Sequence, residues 1–185
     1  MSTSRYSDED IFKMLKDPLT KEAGFRALIK QYGRGLYWHI RRTVVGHDDA
    51  EDAVQETSVK IWTNLDNFQG NASQLKAWIY RIATNEALQL LRKRANFMQS
   101  MDSMGEELTQ TLLAENPVDG SKAEVLLQEA LLKLPTQQRI AFNLRYYDEL
   151  AYEEIADITG KNVGSLKTSY HIAVEKIKTY LNENV

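Results

Sequence analysis

Apolar residues recur at intervals of three and four along almost the whole of this 185-residue chain, and no other feature constrains its fold as strongly. Such spacing places apolar side chains on one face of an α-helix, whereas a half-buried strand needs alternation of apolar and polar residues. One clear example runs through Leu75, Trp78, Ile79, Ile82 and Ala83. No alternating run is long enough to predict a strand. The sequence therefore predicts an all-α protein.

Breaks in this periodicity mark the ends of the predicted helices. Ser7 and Asp10 predict a capping box for a short first helix, which ends before Pro18. Asp48 is a good N-cap for a later helix with acidic residues in its first turns, as the helix dipole favours. We expect the remaining helices from about Phe25 to Val44, from Asp48 to Leu65, from Ser73 to Arg94, from a capping box at Ser121 and Glu124, from Pro135, from Ala151 to Thr159, and from Val163 to about Asn182.

Charge is unevenly distributed, although the net charge is only −3. Residues 66–94 carry five Lys or Arg against two Asp or Glu, whereas residues 95–125 carry one Lys against six acidic residues. The change occurs where helical periodicity stops and where Ser, Gly, Asn and Pro accumulate. We therefore predict two small helical domains, residues 1–94 and 121–185, joined by a flexible acidic linker over residues 95–120.

Several classes of function are disfavoured by what the chain lacks. With no cysteine it has no disulfide framework, thiolate zinc site or cysteine nucleophile. Its three histidines, His39, His47 and His171, are scattered, and neither a zinc-protease motif, a P-loop nor a dinucleotide-binding glycine pattern occurs. We expect no enzymatic activity, no metal, no cofactor and no small-molecule substrate. No signal peptide and no apolar run of membrane-spanning length is recognisable.

The C-terminal residues 151–177 have the layout of a helix-turn-helix motif, with Gly160 in the turn. In the second helix the apolar stripe turns inward, which leaves a polar face that a DNA major groove could meet. On this interpretation Ser165, Thr168 and His171 contact bases, and Lys161 and Lys167 contact phosphates. The alternative is an ordinary helical hairpin with a solvated polar face, and the pattern alone does not separate the two.

Three segments together resemble the extracytoplasmic-function sigma factors, the small two-domain branch of the sigma-70 family of bacterial RNA polymerase. They are residues 49–56 with Trp62, residues 77–85 with the run at 91–94, and residues 152–156 with the Val163–Gly164 pair. The resemblance implies a cytoplasmic bacterial protein that binds core RNA polymerase and promoter DNA. It further implies contacts with the clamp helices and the flap of polymerase, and an anti-sigma factor as a further partner.

The first segment resembles the helix that docks on the clamp helices of the largest polymerase subunit. The resemblance assigns this contact to Asp49, Glu51, Asp52, Gln55 and Glu56. An acidic face of this kind can pair with basic side chains of a partner and fix its register. From charge alone, a solvated helix start that the dipole favours explains the same residues.

The second segment resembles the region that binds the minus-ten promoter element as single-stranded DNA. A base removed from the stack needs an aromatic or apolar wall and an amide for its edge. Phe68, Tyr80 and Asn85 match that pocket, with residues 67–74 as its lid. Alternatively, Phe68 is a hydrophobic plug that fills the loop. We assign Trp78 to the core, because it shares the apolar stripe with Leu75 and Ile82. Phosphate contacts are expected from Arg81, Arg92, Lys93 and Arg94, and more weakly from Lys76.

The third segment resembles the domain that binds the minus-thirty-five element as duplex DNA and touches the flap. This chain departs from the family at Ser169, Ile172 and Val174, where basic residues are usual, although Lys167 and Lys176 remain. Fewer cations release fewer counterions, so we expect weak and shallowly salt-dependent DNA binding by this domain alone. The family further implies that the linker threads into the polymerase channel, but a plain solvated linker has the same composition.

One rival function also uses DNA. A stand-alone helix-turn-helix regulator, binding duplex DNA as a dimer without polymerase, would account for the C-terminal domain. It would leave the acidic helix and the helix with Tyr80 and Asn85 unused. Co-elution with core polymerase separates the two hypotheses.

Overall fold

The computed structural model describes residues 6–99 and 122–184, and these residues form eight α-helices and no strand. This confirms the predicted all-α fold. Residues 100–121, which include most of the predicted linker and the predicted cap at Ser121, lie outside the described residues. The helices are α1 Asp8–Lys16, α2 Lys21–Val44, α3 His47–Asn64, α4 Ala72–Gln99, α5 Lys122–Leu132, α6 Thr136–Tyr146, α7 Tyr152–Thr159 and α8 Val163–Asn184, with a 3-10 turn at Leu65–Asn67.

The start of α1 agrees with the sequence prediction, whereas the start of α3 differs from it. Ser7 caps α1, and the Ser7 and Asp10 side chains form the predicted capping box. The start of α3 differs, because Gly46 rather than Asp48 is the N-cap. Val45 has a φ of 71° and already turns the chain, so Gly46 leads directly into the helix. A β-carbon at Gly46 would lie 2.8 Å from Asp49 Oδ2, so glycine makes room for the acidic side chain there.

Helices α2 and α4 are each longer than the periodicity predicted. Helix α2 begins at Lys21, four residues before Phe25. Helix α1 crosses α2 at Gly24, where the two backbones come close together. A β-carbon on Gly24 would lie 2.8 Å from Met14 Cβ. Helix α4 continues past Arg94 to Gln99, into the first residues of the predicted linker. No Gly or Pro interrupts residues 95–99, so nothing local ends the helix there.

The N-terminal helices α1–α4 enclose one apolar core, and the C-terminal helices contain a second. Fully buried side chains of the first core come from all four helices, namely Ile11, Leu28, Ile40, Ile61, Leu75 and Ile79. The second core joins α5, α6 and α8 through Leu131, Phe142, Ala173 and Ile177. Helices α7 and α8 form the predicted helix-turn-helix layout, with Gly160 in the left-handed conformation at the turn.

The two groups of helices also pack against each other. Helix α7 contacts α4, and α6 contacts α2. As a result Leu144, Leu150 and Ile158 belong to the same continuous apolar cluster as the N-terminal core. Within the described residues, no helix combines the length and the apolar character needed to cross a membrane.

Candidate nucleic-acid interface

The acidic residues predicted to bind polymerase lie on the first half of α3. Asp52, Gln55 and Glu56 are exposed and share one face, since they are three and four positions apart. Glu51 is also exposed, and its Oε1 lies 3.3 Å from His47 Nε2. The buried side of the same helix carries Ala50, Ala53, Thr57 and Ile61. Packing of that side therefore points most of the acidic residues away from the core.

Two apolar side chains on α3, Val59 and Trp62, extend this acidic face, and no motif in the sequence points to Val59. Val59 is 56% exposed and lies one turn beyond Gln55 and Glu56. Trp62 is partly exposed as well, with its ring edge-on to Phe25 and 5.2 Å from Lys21 Nζ. A face with both carboxylates and exposed apolar carbon can offer a protein partner ionic contacts and apolar area to bury.

Asp49 and Arg94 were assigned to different partners, but the structure pairs them with each other. Their side chains form an ion pair, and Arg94 Nη1 also donates to Val44 O at 3.0 Å. Burial lowers the pKa of Arg94 from its ordinary value. The guanidinium is therefore held against the end of α2 and the start of α3, and it does not project with the other basic residues of α4.

Phe68 lies in the loop before α4 with its ring turned inward, only 8% exposed. The ring stacks on Trp78 with centroids 4.7 Å apart, and Phe12 meets it edge-on. Lys16 Nζ donates to Phe68 O at 2.8 Å and closes the loop onto α1. Asn71 and Gln74 cap the start of α4 by exchanging side-chain and backbone hydrogen bonds. These contacts give Phe68 the plug geometry that the sequence left open.

Beside this loop is a cavity of about 270 Å³. Phe68, Trp78 and Arg81 line it together with Asp157 from α7. Trp78 is only half-buried, so its assignment to the core was incomplete: one part of the ring packs inward and another faces the cavity. The indole and the Phe68 ring together form an aromatic wall of the kind on which a nucleic-acid base stacks.

Tyr80 does not face this cavity. It is 4% exposed and packs between α4 and α2, with its ring edge-on to His39. A β-carbon on Gly35 of α2 would lie 2.7 Å from the Tyr80 hydroxyl, so glycine is needed for this approach. Burial first, and then the negative charge of Asp148, raises the pKa of Tyr80 well above its usual value. The structure therefore does not bring Tyr80 together with Phe68 and Asn85.

Arg81, Asn85 and Arg92 form one exposed stripe along α4. They are spaced by four and seven residues, so they lie within a narrow arc of the helix, and Lys93 is exposed beside them. The predicted weaker contact, Lys76, is half-buried and donates from Nζ to Asp148 O at 3.3 Å. Arginines flanking an exposed amide can hold phosphates on both sides of a base.

The predicted minus-thirty-five residues lie on the first turns of α8. Ser165, Lys167, Thr168 and His171 are exposed, and Lys161 in the turn is half-buried. Asn162 Oδ1 accepts from the Ser165 backbone N–H at 2.7 Å and so caps the helix. Lys167 Nζ lies 5.7 Å from the centre of the Tyr152 ring. Leu166, Ala173 and Ile177 are buried as predicted, which fixes the outward direction of the polar face.

Within residues 6–99 and 122–184, no group of three or more histidine, aspartate or glutamate side chains is arranged to hold a metal ion. What the surfaces offer is an acidic and apolar face on α3, an aromatic cavity with a basic stripe on α4, and a polar face on α8.

Comparison with known proteins matches both parts of the chain. Residues 28–97 match the model for sigma-70 region 2, and residues 124–177 match that for sigma-70 region 4. The RNA polymerase sigma factor YlaC of Bacillus subtilis is 32% identical over 85% of this chain and 91% of its own length. The ECF RNA polymerase sigma factor SigW of the same organism is 29% identical over 86% of this chain and 89% of its own. Among solved structures, the sigma factor RpoE in complex with the anti-sigma factor NepR from Bartonella quintana has a TM-score of 0.70, with 28% identity over 87% of this chain and 98% of that chain.

Proposed function

This chain belongs to the extracytoplasmic-function sigma factors of the sigma-70 family, and we propose a division of their work between its two domains. As a member of this family, it directs core RNA polymerase to specific promoters and initiates transcription. The region 2 domain, residues 1–94, binds core polymerase and the minus-ten element. Residues 95–120 are the linker, and the region 4 domain, residues 121–185, binds the minus-thirty-five element and the flap.

Polymerase docking is assigned to the acidic face of α3. Asp52, Gln55 and Glu56 are its centre, because all three are exposed on one face. The exposed Val59 next to them adds apolar contact. Glu51 lies at the side of this face, and Asp49 contributes through its pair with Arg94, which holds the start of α3 in place. Charge complementarity with basic side chains on polymerase would set the orientation and the association rate of docking.

Capture of the minus-ten element is assigned to the exposed stripe of α4 beside the aromatic cavity, and this arrangement is the observation that carries the proposal. Asn85 hydrogen-bonds the edge of a flipped base, while Arg81, Arg92 and Lys93 hold phosphates. Phe68 and Trp78 supply the aromatic wall. A trapped base offsets part of the unstacking cost, about a few kcal/mol, so strand separation becomes favourable.

Duplex binding at the minus-thirty-five element is assigned to the outward face of α8. Ser165, Thr168 and His171 contact bases from the first turns, while Lys161 and Lys167 contact phosphates on either side. The small number of cations leaves most of the affinity to polymerase. A stand-alone regulator is not favoured, because it gives no role to the region 2 part of the chain.

The remaining features follow from the family. The protein acts by binding energy, without covalent chemistry of its own, and works in the bacterial cytoplasm where its polymerase is. An anti-sigma factor is a further partner by analogy with RpoE, whose solved structure contains NepR. Such a partner would cover the surfaces on α3, α4 and α8.

Asn85→Ala tests the assignment of the minus-ten site. In a reconstituted reaction with core polymerase and a promoter of this sigma factor, we expect about tenfold or greater loss of open complex, detected by permanganate footprinting, with polymerase binding unchanged. Gln89→Ala is the matched control, since Gln89 is an exposed amide one turn further along α4. Equal loss of polymerase binding, or equal loss in the control, would remove Asn85 from the site.

A further inference from the structure

Asp148 is a C-terminal residue whose side-chain partners come from the N-terminal domain. It lies in the turn between α6 and α7, and its side chain is only 3% exposed. His39 Nδ1 lies 3.1 Å from Asp148 Oδ2, and Arg42 Nη2 donates to Oδ1 at 3.2 Å. Both partners are on α2, more than 100 residues away in sequence. One buried carboxylate therefore joins two basic side chains across the domain boundary.

The hydrogen bonds around His39 make this junction specific. His39 is fully buried, and its Nε2 lies 2.9 Å from Thr84 Oγ1 on α4. The Thr84 hydroxyl donates its proton to Tyr80 O at 2.8 Å, so it can only accept from His39. Nδ1 faces a carboxylate oxygen, which also accepts. These two contacts hold the His39 ring in one orientation between Thr84 of α4 and Asp148.

Arg42 and Lys76 complete the same junction. The Arg42 guanidinium carbon lies 4.1 Å from the centre of the Tyr147 ring, so Arg42 contacts two neighbouring C-terminal residues. Burial lowers the pKa of Arg42, and the charge of Asp148 opposes that shift. Lys76 Nζ reaches the backbone carbonyl of Asp148. A buried charge that loses its partner is strongly unfavourable, so these contacts resist separation of the domains.

A second polar contact between the two domains is made by α6, the helix that precedes Asp148. Arg139 of α6 is buried, and its Nη2 donates to Thr43 O at 3.0 Å in the last turn of α2. Its Nη1 donates to Leu132 O at the end of α5. A cation suits both carbonyls, since each lies at the negative end of a helix. Polar groups thus bridge the domains at two places within one apolar contact.

This arrangement covers part of the surface assigned to the minus-ten element. Helix α7 lies against α4, and its Asp157 lines the same cavity as Phe68 and Arg81. A carboxylate at that position repels the phosphates that Arg81 would otherwise attract. Tyr80 is buried beside the Asp148 junction. In this arrangement, single-stranded DNA and α7 compete for one side of α4.

We propose that Asp148, held by His39 and Arg42, is a latch that keeps the C-terminal domain packed against one side of the minus-ten surface until polymerase separates the two domains. The proposal rests on the assignment of that surface to α4 under the proposed function. The apolar contact supplies most of the adhesion, and the latch selects one relative orientation because its hydrogen bonds need fixed positions. In the absence of polymerase, the closed protein therefore binds promoter DNA weakly.

Asp148→Asn opens the latch with a minimal change of shape, and Glu149→Gln is its matched control. Glu149 is the next residue, also acidic but exposed. The chain has no cysteine, so Lys30→Cys and Asn182→Cys, both at exposed positions, provide unique sites for spin labels on the two domains. Double electron–electron resonance then measures the distance between the domains in the full-length protein. Fluorescence anisotropy measures binding of a labelled single strand that carries the minus-ten element.

We expect Asp148→Asn to raise the open population about tenfold or more, equivalent to about 1.4 kcal/mol. The apparent Kd for the single strand should fall by the same factor, because affinity scales with the competent fraction. Glu149→Gln should change neither. Asp157→Asn, at an exposed position, should tighten strand binding while the label distance stays closed. Where circular dichroism shows that Asp148→Asn loses helix, Arg42→Gln takes its place with the same expectation.

The outcomes separate this proposal from the proposed function. An unchanged distance distribution in both Asp148→Asn and Arg42→Gln overturns the latch. A shift of the same size in Glu149→Gln also overturns it, because the effect would then not depend on the His39 and Arg42 contacts. If the labels separate as expected but no variant binds the single strand, the latch stands and the assignment of the minus-ten surface fails.

Discussion

Phe68→Ala tests whether the loop before α4 is held by an aromatic plug. The ring is almost fully buried, stacks on Trp78 at 4.7 Å and meets Phe12 edge-on at 6.3 Å. Truncating a buried phenylalanine costs about 3–5 kcal/mol, and each aromatic pair contributes about 0.5–1.5 kcal/mol beyond area. Because the loop can partly collapse, we expect about 3 kcal/mol, or a fall of about 6–12 °C in Tm for a chain of this size.

Differential scanning calorimetry measures this loss, and Phe68→Leu is the informative companion. Leucine keeps most of the apolar volume but removes the face that a base would stack on. If Phe68 is chiefly a plug, Phe68→Leu recovers most of the stability and still supports open-complex formation. If it is chiefly a wall for the base, Phe68→Leu is stable yet defective in opening. A loss below about 1 kcal/mol in Phe68→Ala would refute the buried-plug argument.

Two further predictions concern charged residues of the N-terminal domain. Hydrogen bonds from Ser7 hold the pKa of Asp10 below its usual range, so Asp10 stabilises the fold above about pH 4, and this contribution is lost as pH falls through the folded pKa. Asp10→Asn should therefore lower Tm at pH 7, and the deficit should shrink as the pH falls through the folded pKa of Asp10. Thermal melts at a series of acidic pH values, with Glu9→Gln as control, test this, and a deficit that does not change with pH would contradict it. Asp52→Lys should weaken binding to core polymerase about tenfold at low salt and less at high salt, measured by anisotropy of a labelled chain. Glu9→Lys, an equal charge reversal on α1, should have little effect, and equal weakening in both would argue against the face on α3.

The sequence predicted helices well wherever local chemistry determines them. Ser7 and Asp10 form the expected capping box because both partners lie within one turn. The inward stripe of α8 was also predictable, since Leu166, Ala173 and Ile177 follow the helical period. The start of α3 was not predictable. Gly46 makes room there for Asp49, which pairs with Arg94, and Arg94 is nearly 50 positions further along the chain. Periodicity carries no information about such distant neighbours.

The candidate site likewise contains residues whose exposure was predictable from the sequence and residues whose position was not. Exposure of Asn85 and Arg92 follows from their place opposite the buried face of α4. The burial of Tyr80 was not predictable, because its position on the helix was compatible with either a buried or an exposed side chain. Its hydroxyl lies against Gly35 of α2, and burial, together with Asp148 of the other domain, raises its pKa. Asp148 itself could not be found from the sequence. It lies outside the motifs, and its partners are on a helix more than 100 residues away.

The apolar cluster that runs through both domains has a consequence for the lifetime of the separated form. Leu150 and Ile158 are almost completely buried and belong to that shared cluster. Moving the domains apart hydrates apolar area at a cost of about 25 cal/mol per Å² wherever nothing replaces the lost contact. A molecule with separated domains would expose this apolar surface to water and would tend to self-associate. The arrangement in which the two domains pack together keeps this apolar surface out of water.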